Sequence, residues 1–189
     1  QRSVRLFYDN KNEERVGKKQ WMAEIKAAID ACKKNPEHRF AVCVGSTIGK
    51  TGKGQLAQIC QMCEGAGVKW KPYAGETQQS HKLIDLQDPD TAWIEFGAII
   101  ATTSLSIGVD PKRIRFARVF IWTCRTGCIP LTQFQAAGRF GRSKDAPLLN
   151  TTIDILLNCA PPAVDEALVK TKAQEKVVRP TFEDELDQL

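Results

Sequence analysis

Nowhere in the 189-residue chain does an apolar run approach the roughly 20 residues that a helix needs to cross a bilayer, so no membrane partner is expected. No secretory leader is expected either. Gln1-Arg2-Ser3-Val4-Arg5 leads into polar sequence, where a signal peptide would carry an apolar core. The first residue is not methionine, which is the expectation for a fragment or a processed chain. No internal repeat is visible, which argues against a solenoid. A disulfide framework is disfavoured too. The seven cysteines (Cys32, Cys43, Cys60, Cys63, Cys124, Cys128 and Cys159) are odd in number, and several sit inside apolar runs as small hydrophobes. Reduced thiols and an intracellular setting, nuclear or cytoplasmic, are the expectation. Cys60-Gln-Met-Cys63 is a CxxC, but it lies mid-helix by pattern, and Cys124 and Cys128 are spaced CxxxC on another element. No metal site is therefore expected.

What is present suits one α/β domain. The hydrophobic fraction of 42% is ordinary for a globular protein, and the length allows a sizeable core. The formal charge of +5 is compatible with a polyanion. Lysines crowd the first seventy residues, and Glu183-Asp184-Glu185-Leu186-Asp187 closes an acidic tail.

Read in order, residues 1–8 alternate partly and form a short strand, and 9–19 form a polar loop. Trp21, Ile25, Ala28, Ile29 and Cys32 mark an amphipathic helix ended by Asn35-Pro36. Phe40-Ala-Val-Cys-Val44 reads as a buried parallel strand. A helix carrying Leu56, Ile59, Cys60 and Cys63 follows, ended by Gly65 and Gly67. Further strands are expected at 68–73, 97–102, 116–122 and 151–157. Helices are expected at 77–86, 131–138 and 163–173, and a turn at Asp88-Pro-Asp90. Strands alternating with helices imply a parallel β-sheet flanked by helices on both faces. The expected boundaries are a lead-in over 1–38, the main domain over 39–160, and a C-terminal helix with acidic tail over 161–189.

The chemistry concentrates in Gln135-Ala-Ala-Gly138-Arg139-Phe-Gly141-Arg142. A guanidinium is a permanently charged planar fork that suits phosphate oxygens. A glycine before each arginine removes a side chain that would crowd an approaching phosphate. By contrast Gly49-Lys50-Thr51 fails as a P-loop. The G-x-x-x-x-G-K-[ST] spacing requires glycine where Val44 stands, and Gly45 is one position too close. No Walker B strand ending in Asp-Glu is found. The loop reads better as a basic segment near a nucleic-acid backbone.

The sequence at 135–142 resembles motif VI (QxxGRxGR) of superfamily 2 helicases, which belongs to their second RecA-like domain. Ile100-Ala101-Thr102-Thr103-Ser-Leu-Ser-Ile-Gly108-Val-Asp110 resembles motif V, with Thr103 where aspartate is usual. Ser46 or Thr47, just after the strand ending at Val44, occupies the place of the motif IV hydroxyl. Tyr73-Ala-Gly75-Glu partly resembles the His-Gly segment after the next strand, with Ala74 in place of the histidine. Motif order and spacing both match, with about sixty residues from IV to V and about thirty from V to VI. The stretch 112–127 loosely resembles origin-binding replicative helicases of large DNA viruses.

The resemblance implies a RecA-like α/β domain and a set of roles. Arg142 and Arg139, with Gln135 beside them, would act on the γ-phosphate. Gly108, Asp110, Gly138 and Gly141 would line the nucleotide cleft. Ser46, Thr47, Lys50, Gly75, Thr102 and Thr103 would grip nucleic acid, DNA in preference to RNA. ATP and Mg2+ would be held mainly by an N-terminal RecA-like domain, and this chain alone would be inactive. Two other classes stay open: a non-hydrolysing RecA-like binding module, and a stand-alone P-loop kinase or GTPase using Lys50 and Thr51.

Overall fold

A computed structural model describes residues 3–8, 16–44, 54–73, 84–102, 111–124, 140 and 151–158. The elements in chain order are β1 (Ser3–Tyr8), α1 (Val16–Lys34), β2 (Phe40–Val44), α2 (Gln55–Ala66), β3 (Trp70–Tyr73), α3 (Pro89–Ala92), β4 (Ala98–Thr102), β5 (Arg118–Cys124) and β6 (Thr152–Asn158). The strands form one sheet in the order β1-β6-β5-β2-β4-β3, and every pair is parallel. The expected parallel α/β architecture is present.

Successive strand residues point to opposite faces, and here both faces are covered. Phe40, Val42 and Val44 of β2 join Ala98, Ile100, Phe120 and Trp122 beneath α1 and α2. Ala41 and Cys43 join Ile99, Ala101, Val119 and Ile121 on the second face. A strand buried on both sides reads as a continuous apolar run, which is what Phe40–Val44 and Ala98–Thr102 are. The apolar stripe of α1 is buried as its spacing predicts, from Trp21 to Cys32. The Trp21 ring meets Phe120 and Trp122 edge-on at 5.8 and 5.4 Å.

Handedness explains which connection covers which face. From β1 to β2 and from β2 to β3 the chain steps one way across the sheet, and α1 and α2 lie on the first face. From β3 through β4 and β5 to β6 it steps back. Right-handed crossovers place those connections on the other face, where Trp93, Ile114, Phe116 and Phe140 are buried.

Three local expectations differ from the structure. Helix α1 begins at Val16, inside the stretch read as a polar loop. Its first turn packs on β1 through Gly17, where a Cβ would lie 2.3 Å from the Tyr8 carbonyl oxygen. Such a contact between backbones leaves no apolar signature in the sequence. The Asp88-Pro-Asp90 turn is the start of α3, because Asp88 caps it by accepting from the Thr91 N–H at 3.3 Å and Pro89 suits the first helical position. Gly65 lies within α2, and Gly67 alone ends it, at φ +72°. The lead-in read over 1–38 supplies the edge strand β1, paired with β6, and the core helix α1. The expected helix at 131–138 and the C-terminal helix and tail lie outside the described residues, as do residues 77–83 of the expected helix at 77–86; residues 84–87 are helical.

Cys60 and Cys63 are buried on α2, and burial pushes their thiols up to about 11 and about 12. Burial likewise pushes Cys43 up to about 12. Thiols this reluctant to ionise behave as core hydrophobes. Among the described residues no helix is long and apolar enough to cross a membrane.

Candidate functional site at the carboxyl edge of the sheet

Because all six strands are parallel, their carboxyl ends share one edge. Register places Val44, Thr102 and Trp122 in one row, with Tyr73 beside Ala101 and Leu157 beside both Thr123 and Tyr8. The next described residues after β2, those of α2, lie on the first face, while Ile114 and Phe116 after β4 and Phe140 after β5, the strands on either side of β2, lie on the second. In open α/β sheets such a switch point is where ligands bind, beyond the carboxyl ends of the strands.

The residues singled out in the sequence follow these strand ends. Ser46, Thr47 and Lys50 come after β2, Gly75 after β3, and Thr103, Gly108 and Asp110 after β4. Gln135, Gly138, Arg139, Gly141 and Arg142 come after β5. All of these lie outside the described residues. Thr102 is described. It closes β4 at the carboxyl edge with 5% of its surface exposed, and its hydroxyl donates to the Tyr73 carbonyl at 3.4 Å.

Motif VI has one described residue, Phe140, between Arg139 and Gly141. It is 4% exposed and belongs to the second-face core. Its ring stacks on Trp93 at 5.9 Å and meets Phe116 edge-on at 5.1 Å. The Trp93 N–H donates to the Tyr73 hydroxyl at 2.7 Å, which donates to Asp85 at 2.8 Å. Desolvation raises the Tyr73 pKa, so it remains a phenol. The sequence reading assigned no part to Trp93 or Tyr73. The available signal was the aromatic residue between two glycine-arginine pairs, which needs an apolar seat.

A second polar cluster lies under α1, within the sheet's first face. Asp154 of β6 is fully buried. Its carboxylate accepts from Arg5 Nε at 2.6 Å and from Arg118 Nε at 3.1 Å, with a further ion pair to Arg118 Nη2. Both arginines also donate to Glu24 of α1, Arg5 at 3.0 and 3.1 Å and Arg118 at 2.8 Å. Two cations thus meet two anions. The Trp21 N–H binds the Asp154 carbonyl at 3.2 Å. A lone acid in the apolar run Thr-Ile-Asp-Ile-Leu-Leu was the sequence signal, because a buried charge requires a partner.

The Arg5 hydrogen bond, followed by that of Arg118, holds the Glu24 carboxyl below its ordinary range, against the opposing effect of burial. A depressed folded-state pKa stabilises the protein above the unfolded value, about 4.3 for glutamate. That contribution is lost as pH falls through the lower folded value. Urea midpoints measured from pH 7 down to pH 3 are expected to fall less steeply in Glu24→Gln than in wild type. Parallel curves would remove Glu24 as a source of acid sensitivity.

A cavity of about 520 Å3 lies near the amino ends of β2 and β4, away from the carboxyl edge, lined in part by Arg39, Asp88, Asp90, Lys112 and Arg113. Asp90 accepts the backbone N–H groups of Lys112, Arg113 and Ile114 at 2.8–2.9 Å, so its carboxylate pins the turn into β5. Among the described residues no group of three or more histidine, cysteine or acidic side chains gathers as metal ligands do.

No protein-family model matches the sequence, and no curated protein matches it. Solved structures do match the fold. A structure of S. cerevisiae dbp5 l327v bound to gle1 h337r and ip6 aligns over 84% of this chain and 36% of its own, with a TM-score of 0.51 at 15% identity. The C-terminal part of the Fun30 ATPase domain aligns over 74% of this chain and 42% of its own, with a TM-score of 0.50 at 14% identity. The fold is RecA-like.

This RecA-like chain spans less than half the length of either structure. At such identities the likeness concerns architecture alone. It lends no support to the narrower viral origin-binding resemblance, which stays with the sequence at 112–127.

Proposed function

We propose that this RecA-like domain is the second motor domain of an ATP-dependent superfamily 2 nucleic-acid helicase, with DNA favoured over RNA. One observation carries the reading: in chain order the three motif-like segments come after β2, at the end of β4 and after β5, which are three neighbouring strands of the sheet at its switch point. Motifs matched by chance would not be expected to fall after three adjacent parallel strands.

In this reading the triphosphate and Mg2+ are bound mainly by an N-terminal RecA-like domain of the complete protein. Arg142 and Arg139 reach the γ-phosphate across the interdomain cleft, with Gln135 beside them. A guanidinium already in place stabilises the charge that spreads over the transferring phosphoryl oxygens. Gly108 and Asp110, with Gly138 and Gly141, line the same cleft. Ser46, Thr47, Lys50, Gly75, Thr102 and Thr103 serve the nucleic-acid backbone, which carries no sequence information by itself. Opening and closing of the cleft moves one grip relative to the other.

The test is ATP turnover with and without nucleic acid. The complete protein is expected to hydrolyse ATP faster when single-stranded DNA is added, and this chain alone is expected to show no turnover. Turnover by the isolated chain would overturn the division of labour between two domains. A complete protein that binds DNA but never hydrolyses ATP would favour the non-hydrolysing module.

A further inference from the structure

The second-face core contains an aromatic run that the proposed chemistry does not use. Trp93 is fully buried and lies nearly parallel to Phe140, at 5.9 Å with 27° between the ring planes. Phe116 closes the group, edge-on to Phe140 at 5.1 Å and to Trp93 at 6.2 Å. The indole cannot turn freely, since its N–H is held by the Tyr73 hydroxyl at 2.7 Å. Turning it would strand a buried donor. Tyr73 is itself fixed by Asp85, which Lys71 holds at 2.8 Å.

We infer that Trp93 is a positioning residue for the arginine-bearing segment, acting through its stack on Phe140. The inference rests on the reading of 135–142 as the segment that meets ATP. Phe140 is bonded directly to Arg139 and is two residues from Arg142. Consecutive Cα atoms are about 3.8 Å apart, so a ring displaced in its seat displaces the backbone that carries both guanidiniums. An aliphatic pocket would let a phenylalanine ring slide and tilt. A parallel indole plane with an edge-on neighbour specifies ring plane and depth together. The same run begins at Tyr73, the last residue of β3, directly before the segment that contains Gly75. It therefore joins the expected nucleic-acid grip to the expected nucleotide contact through packed, hydrogen-bonded side chains.

A catalytic group misplaced by about 1 Å loses on the order of 10²-fold in rate. In the complete protein, Trp93→Leu is therefore expected to lower kcat by about that factor, with ATP KM and DNA affinity close to wild type. Trp93→Phe, which keeps a ring beneath Phe140, is expected to recover most of the loss. Rates are taken per folded molecule, with the folded fraction read from circular dichroism. An unchanged kcat in Trp93→Leu overturns the inference, and so does a Trp93→Phe variant with no recovery.

The wild-type control separates this from the motor reading. If the complete wild-type protein turns over no ATP, that reading fails and the positioning role is judged on this chain alone. There the side-chain Nε–H resonances of Arg139 and Arg142 are expected to shift in Trp93→Leu. Those of Arg5 and Arg118, held by Asp154 on the opposite face, are expected to stay. Unshifted Arg139 and Arg142 overturn the positioning role.

Discussion

Replacing Arg142 by alanine in the complete protein is expected to abolish ATP turnover while leaving DNA binding near wild type. An arginine finger contributes about 10³ to 10⁵ in rate because its charge is already in place when negative charge spreads over the transferring phosphoryl group. The nucleic-acid contacts are proposed to come from other segments, after β2, β3 and β4, so they survive the change. Arg142→Lys is expected to recover little. An ammonium is a point charge and cannot reproduce the planar fork. Steady-state turnover and DNA titration on the same preparation provide the check. Parallel loss of turnover and binding would remove the finger role, and full activity would remove the motor reading with it.

Asp154→Ala is expected to destabilise the domain by about 3–5 kcal/mol, the usual result of removing one partner from a buried charge pair. The carboxylate is fully buried, and Arg118 keeps only 19% of its side chain exposed. The variant thus leaves a guanidinium with one anion, Glu24, in place of two. Exposed ion pairs contribute little, so the effect should depend on burial. The Lys69–Glu95 pair, about 70% exposed on both sides, is the internal control. Glu95→Ala is expected to change stability by less than about 0.5 kcal/mol. Replacing Arg5, Glu24, Arg118 and Asp154 together by Met, Gln, Met and Leu should cost much less than Asp154→Ala alone, because none of the four charges is then left without a partner. Urea unfolding of the isolated domain at neutral pH measures all three. Equal midpoints for Asp154→Ala and wild type would show that the cluster is incidental.

The two expectations differ in how legible they were. Arg142 stands out in the sequence because its chemistry is local, a guanidinium after a glycine at a spacing that resembles a known motif. Asp154 could be flagged only as an acid in an apolar strand. Its partners are Arg5, Glu24 and Arg118, brought in from β1, α1 and β5, and no spacing along the chain links them. The entry of β1 into the sheet was hidden for the same reason. A polar stretch follows it, and its pairing with β6 joins Ser3 to Thr152 across almost the whole described chain.

By itself the sequence determined the parallel α/β sheet, because strands buried on both faces need unbroken apolar runs and the helices between them repeat with a different period. It also determined the order of the segments proposed to meet phosphate, since glycine, arginine and hydroxyl residues act over a few positions. Only the tertiary structure decided which strand stands beside which, and hence that β2 lies between β4 and β5, with α2 on the face opposite Phe116 and Phe140. It alone placed Trp93 under Phe140 and Asp154 between two arginines. Those pairings follow from crossover handedness and from burial, which act between residues distant in the chain and leave no periodic trace along it.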